Sequence, residues 1–331
     1  MKKLFALLLI TALIFGALTS CSFFENNNVN DPGKATKIRI GTLSGPTGMG
    51  MAKMIDDNGL DGDKYSFTVY SKPDAAQAAF TAGDIDALCF PTNNAANLYA
   101  KLNGNIYVAA INCLGSLYVV SGSGYEINNI KDLEGKTIYA SVPNSTTGAI
   151  INYILEQNNV NATVTFDYNG ETLNDHDMLS AYMAKGEIDL AILPEPKATA
   201  TVLSNAELGL KISLNLSTEW EKVSNESEPL TMGCIVFSKS FVDNNKELVD
   251  SFLAEYKASI EYINDKNNLD SSAEMIFNAG ILPKAAIAKK ALLNLYGSIV
   301  YIDGAEMKTA LEGFYKVIGL AKPDDNFYYG K

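Results

Sequence analysis

Two parts of the chain repeat the same order of apolar and polar positions. Each begins with a short apolar segment, continues through a break rich in Ser, Thr, Gly and Pro, and then shows helical spacing of apolar residues. This pattern predicts a strand, a turn and an amphipathic helix in each part. The strands are expected at Lys37–Gly41 and Lys136–Ala140, the breaks at Ser44–Gly48 and Val142–Gly148, and the helices from Met49 and over Ala149–Asn158.

A second pair of matching segments follows at a constant distance. In each, a helical stretch ends at a glycine, an acidic residue, Ile and Asp follow, and an apolar strand leads to a proline. The matched residues differ by 103 in number: Gly83 and Gly186, Asp86 and Asp189, Pro91 and Pro194. Glycine ends helices because it adopts the left-handed conformation without penalty. Strands without polar alternation, here Ala87–Phe90 and Leu190–Leu193, are typical of parallel sheets buried on both faces.

Helices that alternate with buried strands predict an α/β fold in which each half is a mainly parallel sheet flanked by helices. Ligands of such open sheets bind at the carboxyl ends of the strands. The candidate binding residues are therefore those that follow the predicted strands: Gly45, Pro46, Thr47, Gly48, Asn93, Asn94, Asn144, Ser145, Thr146, Thr147 and Glu195.

Different chemistry is expected at the members of this set. The two helix starts offer free backbone N–H groups to an anion or another acceptor. Alternatively, Ser145 and Thr146 only cap their helix. Glu195 lies between two prolines, where it would accept hydrogen bonds from an amine or a pyrimidine ring, or else be a solvated loop acid. We expect Trp220, the single tryptophan, to be structural and not a stacking platform.

The first 20 residues have the layout of a secretory signal peptide. Met1–Lys3 carries positive charge, Leu4–Leu18 is almost wholly apolar, and small residues precede Cys21. The apolar run is shorter than the roughly 20 residues that a membrane-spanning helix needs. Export of the chain is therefore expected.

Leu18–Cys21 resembles the lipobox of bacterial lipoproteins. The resemblance implies that Cys21 is lipidated after cleavage and anchors the chain to a membrane. The alternative is an ordinary signal peptide with an incidental cysteine. Residues 21–35 are polar apart from two Phe, and we expect them to form a flexible tether.

Composition argues against several kinds of partner and site. The formal net charge is −12, and without a basic stripe no nucleic acid is expected to bind. Cys89, Cys113 and Cys234 lie in apolar surroundings without Cys-x-x-Cys spacing, so we expect small buried residues, with one disulfide bond left open. His176, the single histidine, is flanked by aspartates and is expected at a solvated helix start. No metal and no cofactor are expected.

The order of these motifs resembles the type II periplasmic-binding-protein fold, in the branch of the nitrate, sulfonate, taurine and thiamine-precursor receptors of ABC transporters. The matching segments are Gly41–Gly48, Gly83–Ala87, Lys131–Ile138, Gly186–Leu190 and Gly233–Lys239. The resemblance covers nearly all of the chain from residue 36. It implies two lobes joined by two crossing strands, near Leu117–Ser121 and Gly233–Phe237. Lobe one would comprise residues 36–116 with 234–331, and lobe two residues 117–233.

The C-terminal part of lobe one is expected to be helical, because its apolar residues recur at helical spacing. The expected helices are Ser240–Ile263, Ser271–Ala279, Pro283–Tyr296 and Ala305–Ile318. Lobe one would then be a discontinuous body closed by C-terminal helices, as in a hinge-bending receptor.

The resemblance implies an extracytoplasmic receptor that captures a small polar solute between its lobes and delivers it to the permease of an ABC-type importer. The receptor is expected to be a monomer, anchored on the outer face of the cytoplasmic membrane, which is the periplasmic side if an outer membrane exists. The only arginine, Arg39, is expected to face away from the cleft. Because arginine forks normally recognise carboxylates and phosphates, a neutral or weakly charged solute such as a pyrimidine or flavin-like ring is favoured, followed by sulfonates and nitrate.

Two alternatives belong to other functional classes. Some enzymes of cofactor biosynthesis resemble the same fold, including a chorismate dehydratase and pyrimidine synthases, but they work in the cytoplasm and the export signal argues against them. The chain shows no nucleophile elbow, P-loop or dinucleotide fingerprint, so we do not expect an enzyme. The second alternative is a sensory or adhesive surface lipoprotein without a transporter.

Overall fold

The computed structural model describes residues 34–143, 145–225 and 228–330. The expected signal peptide, Cys21, the tether up to residue 33 and the candidate binding residue Asn144 lie outside the described residues. Residues 35–331 form one compact unit. Among the residues that the structure describes, no helix is both long enough and apolar enough to cross a membrane.

Strands and helices alternate through the first two thirds of this unit, and helices dominate the last third. The strands are β1 Ile38–Leu43, β2 Tyr65–Tyr70, β3 Ala87–Pro91, β4 Ile106–Leu114, β5 Leu117–Ser121, β6 Thr137–Tyr139, β7 Thr163–Thr165, β8 Asp167–Tyr168, β9 Glu171–Thr172, β10 Leu190–Pro194, β11 Lys211–Asn215, β12 Thr231–Ser238 and β13 Ile299–Ile302.

The helices are α1 Pro46–Met49, α2 Ala52–Asn58, α3 Pro73–Ala82, α4 Thr92–Lys101, α5 Thr146–Gln157, α6 His176–Ala184, α7 Lys197–Ser204, α8 Leu216–Glu221, α9 Lys239–Asn244, α10 Lys246–Asn264, α11 Leu269–Asn278, α12 Ala285–Asn294 and α13 Gly304–Val317. Short 3₁₀ turns lie at Ile130–Leu133, Ala206–Leu208, Lys266–Asn268 and Asp325–Phe327.

The strands form two mixed sheets, each of which is the centre of one lobe. The first sheet has the order β13-β4-β12-β3-β1-β2 and the second β11-β5-β10-β6-β7. We refer to the body around the first sheet as lobe one and to that around the second as lobe two. A separate hairpin of β8 and β9 extends from lobe two.

The expectation of mainly parallel sheets holds for only part of each sheet. Strand β1 is parallel to β2 and β3, and β6 is parallel to β7 and β10. Strand β12 is antiparallel to both β3 and β4, and β5 is antiparallel to β10 and β11. Strands β5 and β12 are the first strands after the chain passes from one lobe to the other. No crossover helix leads into them from a neighbouring strand of the same sheet, so they need not be parallel to that strand.

The repeat seen in the sequence corresponds to equivalent elements of the two lobes. Helix α3 ends at Gly83 with φ 78°, and Gly186, just past the end of α6, has φ 69°. Both are left-handed, as predicted for a glycine that ends a helix. The strands that follow, β3 and β10, are buried along their length up to the final proline. The pattern therefore predicted the local structure at both copies.

The C-terminal helices differ from the prediction at one position. The segment Ser240–Ile263, expected as one helix, is divided into α9 and α10 at Asn245. The side-chain oxygen of Asn245 accepts a hydrogen bond from the backbone N–H of Ala35 at 2.6 Å. The backbone of Asn245 is not helical, with φ −133° and ψ 36°, and this contact accompanies the interruption of the helix. The other three predicted helices are confirmed within two residues at each end.

Two hydrophobic cores belong to single lobes and a third is shared. Helices α2, α10, α11 and α12 cover one face of the first sheet, and their apolar residues, including Met49 and Met51 of the preceding turn, form the lobe-one core. Helices α6 and α7 form a smaller core on lobe two. The shared core lies between them: the fully buried Trp220 packs against Tyr153 of lobe two and Phe314 of lobe one. This confirms the structural interpretation of Trp220.

The three described cysteines are buried and free. Cys89, Cys113 and Cys234 lie on β3, β4 and β12 of the first sheet. Burial raises the thiol pKa to about 11 for Cys89 and about 12 for Cys113. They are small apolar residues of the core, as the sequence indicated, and no disulfide bond joins them.

The first passage between lobes is tightly packed, and this leads to a prediction for Gly115. A Cβ atom at Gly115 would lie 1.8 Å from Ser217 Oγ and 2.9 Å from Leu230 Cδ2. Gly115→Ala should therefore lower the free energy of unfolding by about 2 kcal/mol through overpacking, measured by urea denaturation. Gly124→Ala is the control, because a Cβ there meets nothing within 4 Å. Equal stabilities of the two variants would contradict this account of the passage.

Candidate functional site

The loops that follow β1 of lobe one and β10 of lobe two lie close together at the boundary between the lobes, and we refer to this boundary as the cleft. A Cβ atom built on Gly45, after β1, would lie 3.6 Å from Cδ of Pro196, after β10. At the base of the cleft, the backbone N–H of Glu195 donates to the carbonyl of Ser116 in the passage between lobes at 2.8 Å. Of the predicted set, Gly45 of lobe one therefore lies beside the residue that follows Glu195 in lobe two.

The loop after β1 is held by backbone packing. Pro46 is the first residue of α1. A Cβ on Gly48 would lie 2.1 Å from the carbonyl oxygen of Leu43, so only glycine allows the chain to turn this closely over the end of β1. The carbonyl of Thr47 accepts a hydrogen bond from Asn112 Nδ2 at 3.2 Å. Helix α1 has four residues, which gives this loop little of the dipole that the helix-start hypothesis needs.

Polar side chains that the sequence analysis did not select lie beneath this loop. Thr42, Asn112 and Thr231 are each at most 1% exposed. Thr42 Oγ1, Asn112 Oδ1 and Thr231 Oγ1 make no hydrogen bond with the described residues. Buried polar atoms are normally paired, and each exception needs an explanation. A sequence signal existed, because each of these residues is a polar position near the end of a mainly apolar strand.

The loop after β3 continues directly into helix α4. Thr92 is buried, and its hydroxyl donates to the carbonyl of Thr231 at 2.9 Å, which ties α4 to the start of β12. Asn93 and Asn94 are half-buried in the first turn. Asn93 Nδ2 donates to Asn94 Oδ1 at 2.9 Å, so each amide keeps hydrogen-bonding capacity for another group.

The loop after β6 leads to helix α5, whose 12 residues give it a substantial N-terminus. Ser145 is the N-cap residue, but its side chain makes no capping hydrogen bond, and its buried hydroxyl oxygen has no partner among the described residues. Thr146 is half-buried and Thr147 is buried in the first turn. Val142 in the same loop has φ 61°, a strained conformation for a β-branched residue.

His176 begins helix α6 and is more buried than the sequence indicated. Its Nδ1 lies 2.7 Å from the hydroxyl of Ser141, which follows β6. Burial is the main cause that lowers the pKa of His176, followed by the charge of Lys197. Lys197, at the start of α7, forms an ion pair with Asp177. Lys197 is thus paired with Asp177 and not with Glu195.

Glu195 is the most unusual member of the predicted set. It is 2% exposed, so it is not the solvated loop acid that was the alternative. Its Oε1 accepts from Thr199 Oγ1 at 2.8 Å and from Asn294 Nδ2 at 2.7 Å, and its Oε2 accepts from the Thr199 N–H at 3.2 Å. All three donors are neutral, and burial raises the pKa of Glu195.

The only arginine takes no part in this region. Arg39 forms a two-point ion pair with Asp86, with Nη2 2.6 Å from Oδ1 and Nε 3.0 Å from Oδ2. Asp86 immediately precedes β3, at the opposite end of the strand from the candidate loops. The prediction that Arg39 faces away from the cleft is therefore confirmed.

Comparison with known proteins gives one family and a consistent fold. The model of the phosphonate periplasmic substrate-binding proteins of ABC transporters matches residues 51–275, which is more than half of the chain. No curated protein matches the chain significantly. The family model is that of phosphonate proteins, whereas the motifs resembled nitrate, sulfonate, taurine and thiamine-precursor receptors.

Solved structures of similar fold include a sulphonate-binding and a nitrate-binding protein. An ABC transporter protein from Parabacteroides distasonis has a TM-score of 0.72 at 21% identity, covering 90% of this chain and 100% of that one. The aliphatic sulphonate-binding protein SsuA of Escherichia coli has 0.66 at 15%, covering 89% and 92%. The nitrate-binding protein NrtA of Synechocystis PCC 6803 has 0.56 at 11%, covering 82% and 74%. At these identities the similarity establishes the two-lobed α/β fold.

The strained residue in the loop after β6 gives a stability prediction. Val142→Asn should raise the free energy of unfolding by about 1 kcal/mol, because asparagine tolerates a left-handed conformation that costs a β-branched residue more. Urea denaturation of the solute-free protein measures this change. The control is Val164→Asn in β7, where the substitution should be destabilising. A loss of stability in the Val142 variant would show that the loop does not strain this residue.

The buried carboxylate gives a pH prediction. Burial raises the pKa of Glu195 in the folded protein, whereas in the unfolded chain the pKa is about 4.3. Above pH 4 the unfolded chain therefore releases this proton first, and the contribution of Glu195 to stability falls as the pH rises. The stability of Glu195→Gln relative to the parent should thus increase from pH 4 to pH 7, measured by urea denaturation.

The control for this measurement is Glu207→Gln, which changes an exposed carboxylate of the same lobe. Its stability relative to the parent should not change with pH over this range. If the Glu195 variant behaves in the same way, Glu195 is not buried in solution.

Proposed function

The chain belongs to the phosphonate family of periplasmic substrate-binding proteins of ABC transporters. On that premise, we propose that it captures a small polar solute between its lobes and that this solute donates a hydrogen bond to Glu195. It is the substrate-binding component of an ABC importer and acts outside the cytoplasm. The proposal concerns the residues that bind the solute and the chemistry of that solute.

The state of Glu195 carries this proposal. A buried carboxylate that has only neutral donors costs free energy, because its charge is removed from water without a compensating cation. Among the described residues no lysine or arginine pairs with it. A solute that brings an amine or a ring N–H would supply the missing donor, and a positively charged donor would stabilise the carboxylate most.

The loop after β6 is suited to the other end of such a solute. Ser145, Thr146 and Thr147 begin α5, whose first N–H groups have no partner within the helix. The N-terminus of a helix stabilises an acceptor or an anion. A solute with a donor at one end and an acceptor at the other would therefore contact both Glu195 and the start of α5. Pyrimidines fit this description, as do amino-substituted sulfonates and phosphonates.

Gly45–Gly48, Asn93 and Asn94 complete the proposed site from the lobe-one side. We place lobe one at residues 36–116 with 234–331 and lobe two at residues 117–233, so that the solute lies between parts of the chain that can move about the two passages. Closure would exclude water and strengthen each polar contact in the cleft. The closed form would then bind the membrane permease. Lipidation of Cys21 would hold the protein, as a monomer, at the outer face of the cytoplasmic membrane.

A thermal-shift experiment with matched compounds tests the proposal. The pairs are 2-aminoethylphosphonate with ethylphosphonate and taurine with ethanesulfonate; cytosine, riboflavin and nitrate are tested separately. A donor-bearing compound at about 100 times its dissociation constant should stabilise the protein by about 2.7 kcal/mol. Its partner without the amine should give a much smaller rise in melting temperature, because it leaves Glu195 without a donor.

The same compounds are then tested on two variants. Glu195→Gln should lose most of the shift, and Glu207→Gln should keep it, because Glu207 is exposed and distant in sequence from the candidate loops. Equal shifts with ethylphosphonate, ethanesulfonate or nitrate as with the donor-bearing compounds would refute the role assigned to Glu195.

A further inference from the structure

Asn294 connects lobe one to Glu195. It is the last residue of α12, which packs against α11, and the buried residues of α12 belong to the lobe-one core. Its side chain does not join that core. It extends instead to Glu195 and Thr199 of lobe two, where neighbouring residues belong to the separate lobe-two core. The side chain of Asn294 therefore contributes a polar contact to the junction where α12 packs against α7.

Three hydrogen bonds surround Asn294 at this junction. Its Nδ2 donates to Glu195 Oε1 at 2.7 Å and lies 2.9 Å from Thr199 Oγ1. The backbone carbonyl of Asn294 accepts from the hydroxyl of Tyr118, on β5, at 2.8 Å. Glu195, Thr199 and Tyr118 are each at most 2% exposed. Hydrogen bonds to a carboxylate in such surroundings are stronger than those at the surface.

The two oxygens of Glu195 are not equally occupied. Oε1 accepts two hydrogen bonds, from Thr199 Oγ1 and Asn294, whereas Oε2 accepts only the longer bond from the Thr199 N–H. A carboxylate has about four acceptor sites. The donors on Oε1 fix the plane of the carboxylate, and the remaining capacity is on Oε2.

We propose that Asn294 is a positioning residue, through which lobe one orients the Glu195 carboxylate of lobe two for the solute. This inference rests on the proposed function of Glu195. Asn294 need not touch the solute. Because Asn294 belongs to the other lobe, its hydrogen bond to Glu195 depends on the arrangement of the lobes, whereas the two hydrogen bonds from Thr199 lie within lobe two. The side-chain amide of Asn294 then couples solute binding to the arrangement of the lobes.

The backbone N–H of Thr199 reports on this coupling without any solute. Thr199 is the third residue of α7, so its N–H has no partner within the helix and donates to Glu195 Oε2 instead. If Glu195 loses its orientation, this amide loses its acceptor. Hydrogen exchange of the full chain, followed by mass spectrometry with fragments that end on either side of Thr199, measures this change.

The variants are chosen to separate hydrogen bonding from packing. Asn294→Asp keeps the shape of the side chain but replaces the donor by a second carboxylate, so exchange at Thr199 should become about tenfold faster. In the double variant Asn294→Asp with Glu195→Gln, donor and acceptor are exchanged between the two positions, and most of the protection should return. The control is Asn278→Asp, which changes an exposed residue at the end of α11. In this variant the Thr199 amide should exchange at the rate of the parent.

Two results would overturn the inference. Exchange at Thr199 in Asn294→Asp that equals the parent would mean that the amide donor is not required. Exchange in the double variant as fast as in the single one would mean that Asn294 does not act through Glu195. Because no solute is present, neither result depends on the thermal-shift panel, so failure of the inference can be distinguished from failure of the proposed function.

Discussion

A carboxylate that is buried without a cation must be held by several neutral donors, and this requirement organises the centre of the molecule. Glu195 meets it with donors from its own helix start and from a helix of the other lobe. Four elements meet around Glu195 and Asn294: helix α12, the end of β10, the start of α7 and strand β5. Oε2 of the carboxylate accepts only one hydrogen bond. It is the oxygen to which the proposed solute would donate.

Charges elsewhere are arranged so that they do not compete for this carboxylate. The only arginine is paired with Asp86 at the far end of β3, and Lys197, two residues after Glu195, is paired with Asp177. Neither cation is available to neutralise Glu195. The family name refers to phosphonates, yet the described loops offer an anion neutral donors: hydroxyl groups, side-chain amides and backbone N–H groups. If the solute binds at these loops as proposed, hydrogen-bond direction would contribute more to its recognition than opposite charge.

Local features of the fold could be read from the sequence, whereas contacts between distant segments could not. Gly83 and Gly186 have left-handed backbones at the ends of helices in both lobes. This requirement comes from the adjacent turn of the chain and from no distant contact, so the local sequence predicts it. Strands β3 and β10 were predicted from their apolar runs, and Glu195 from its place after β10. Its burial was not predictable, since it depends on Asn294, which is 99 residues away. The antiparallel direction of β12 has the same origin: an apolar strand carries no signal for its direction in a sheet. The break at Asn245 also coincides with a contact between distant segments, since its side chain accepts a hydrogen bond from Ala35.

The buried thiols of the first sheet have a practical consequence. Cys89, Cys113 and Cys234 are enclosed in the core, and burial raises the pKa of each thiol. Thiol-directed reagents react with the thiolate and need access to it, so these three positions are protected from them while the protein is folded. A cysteine introduced on the rim of the cleft would then be the reactive site of the described body. A fluorophore attached there would report the proposed movement of the lobes as an optical signal, without removal of any native cysteine from the core.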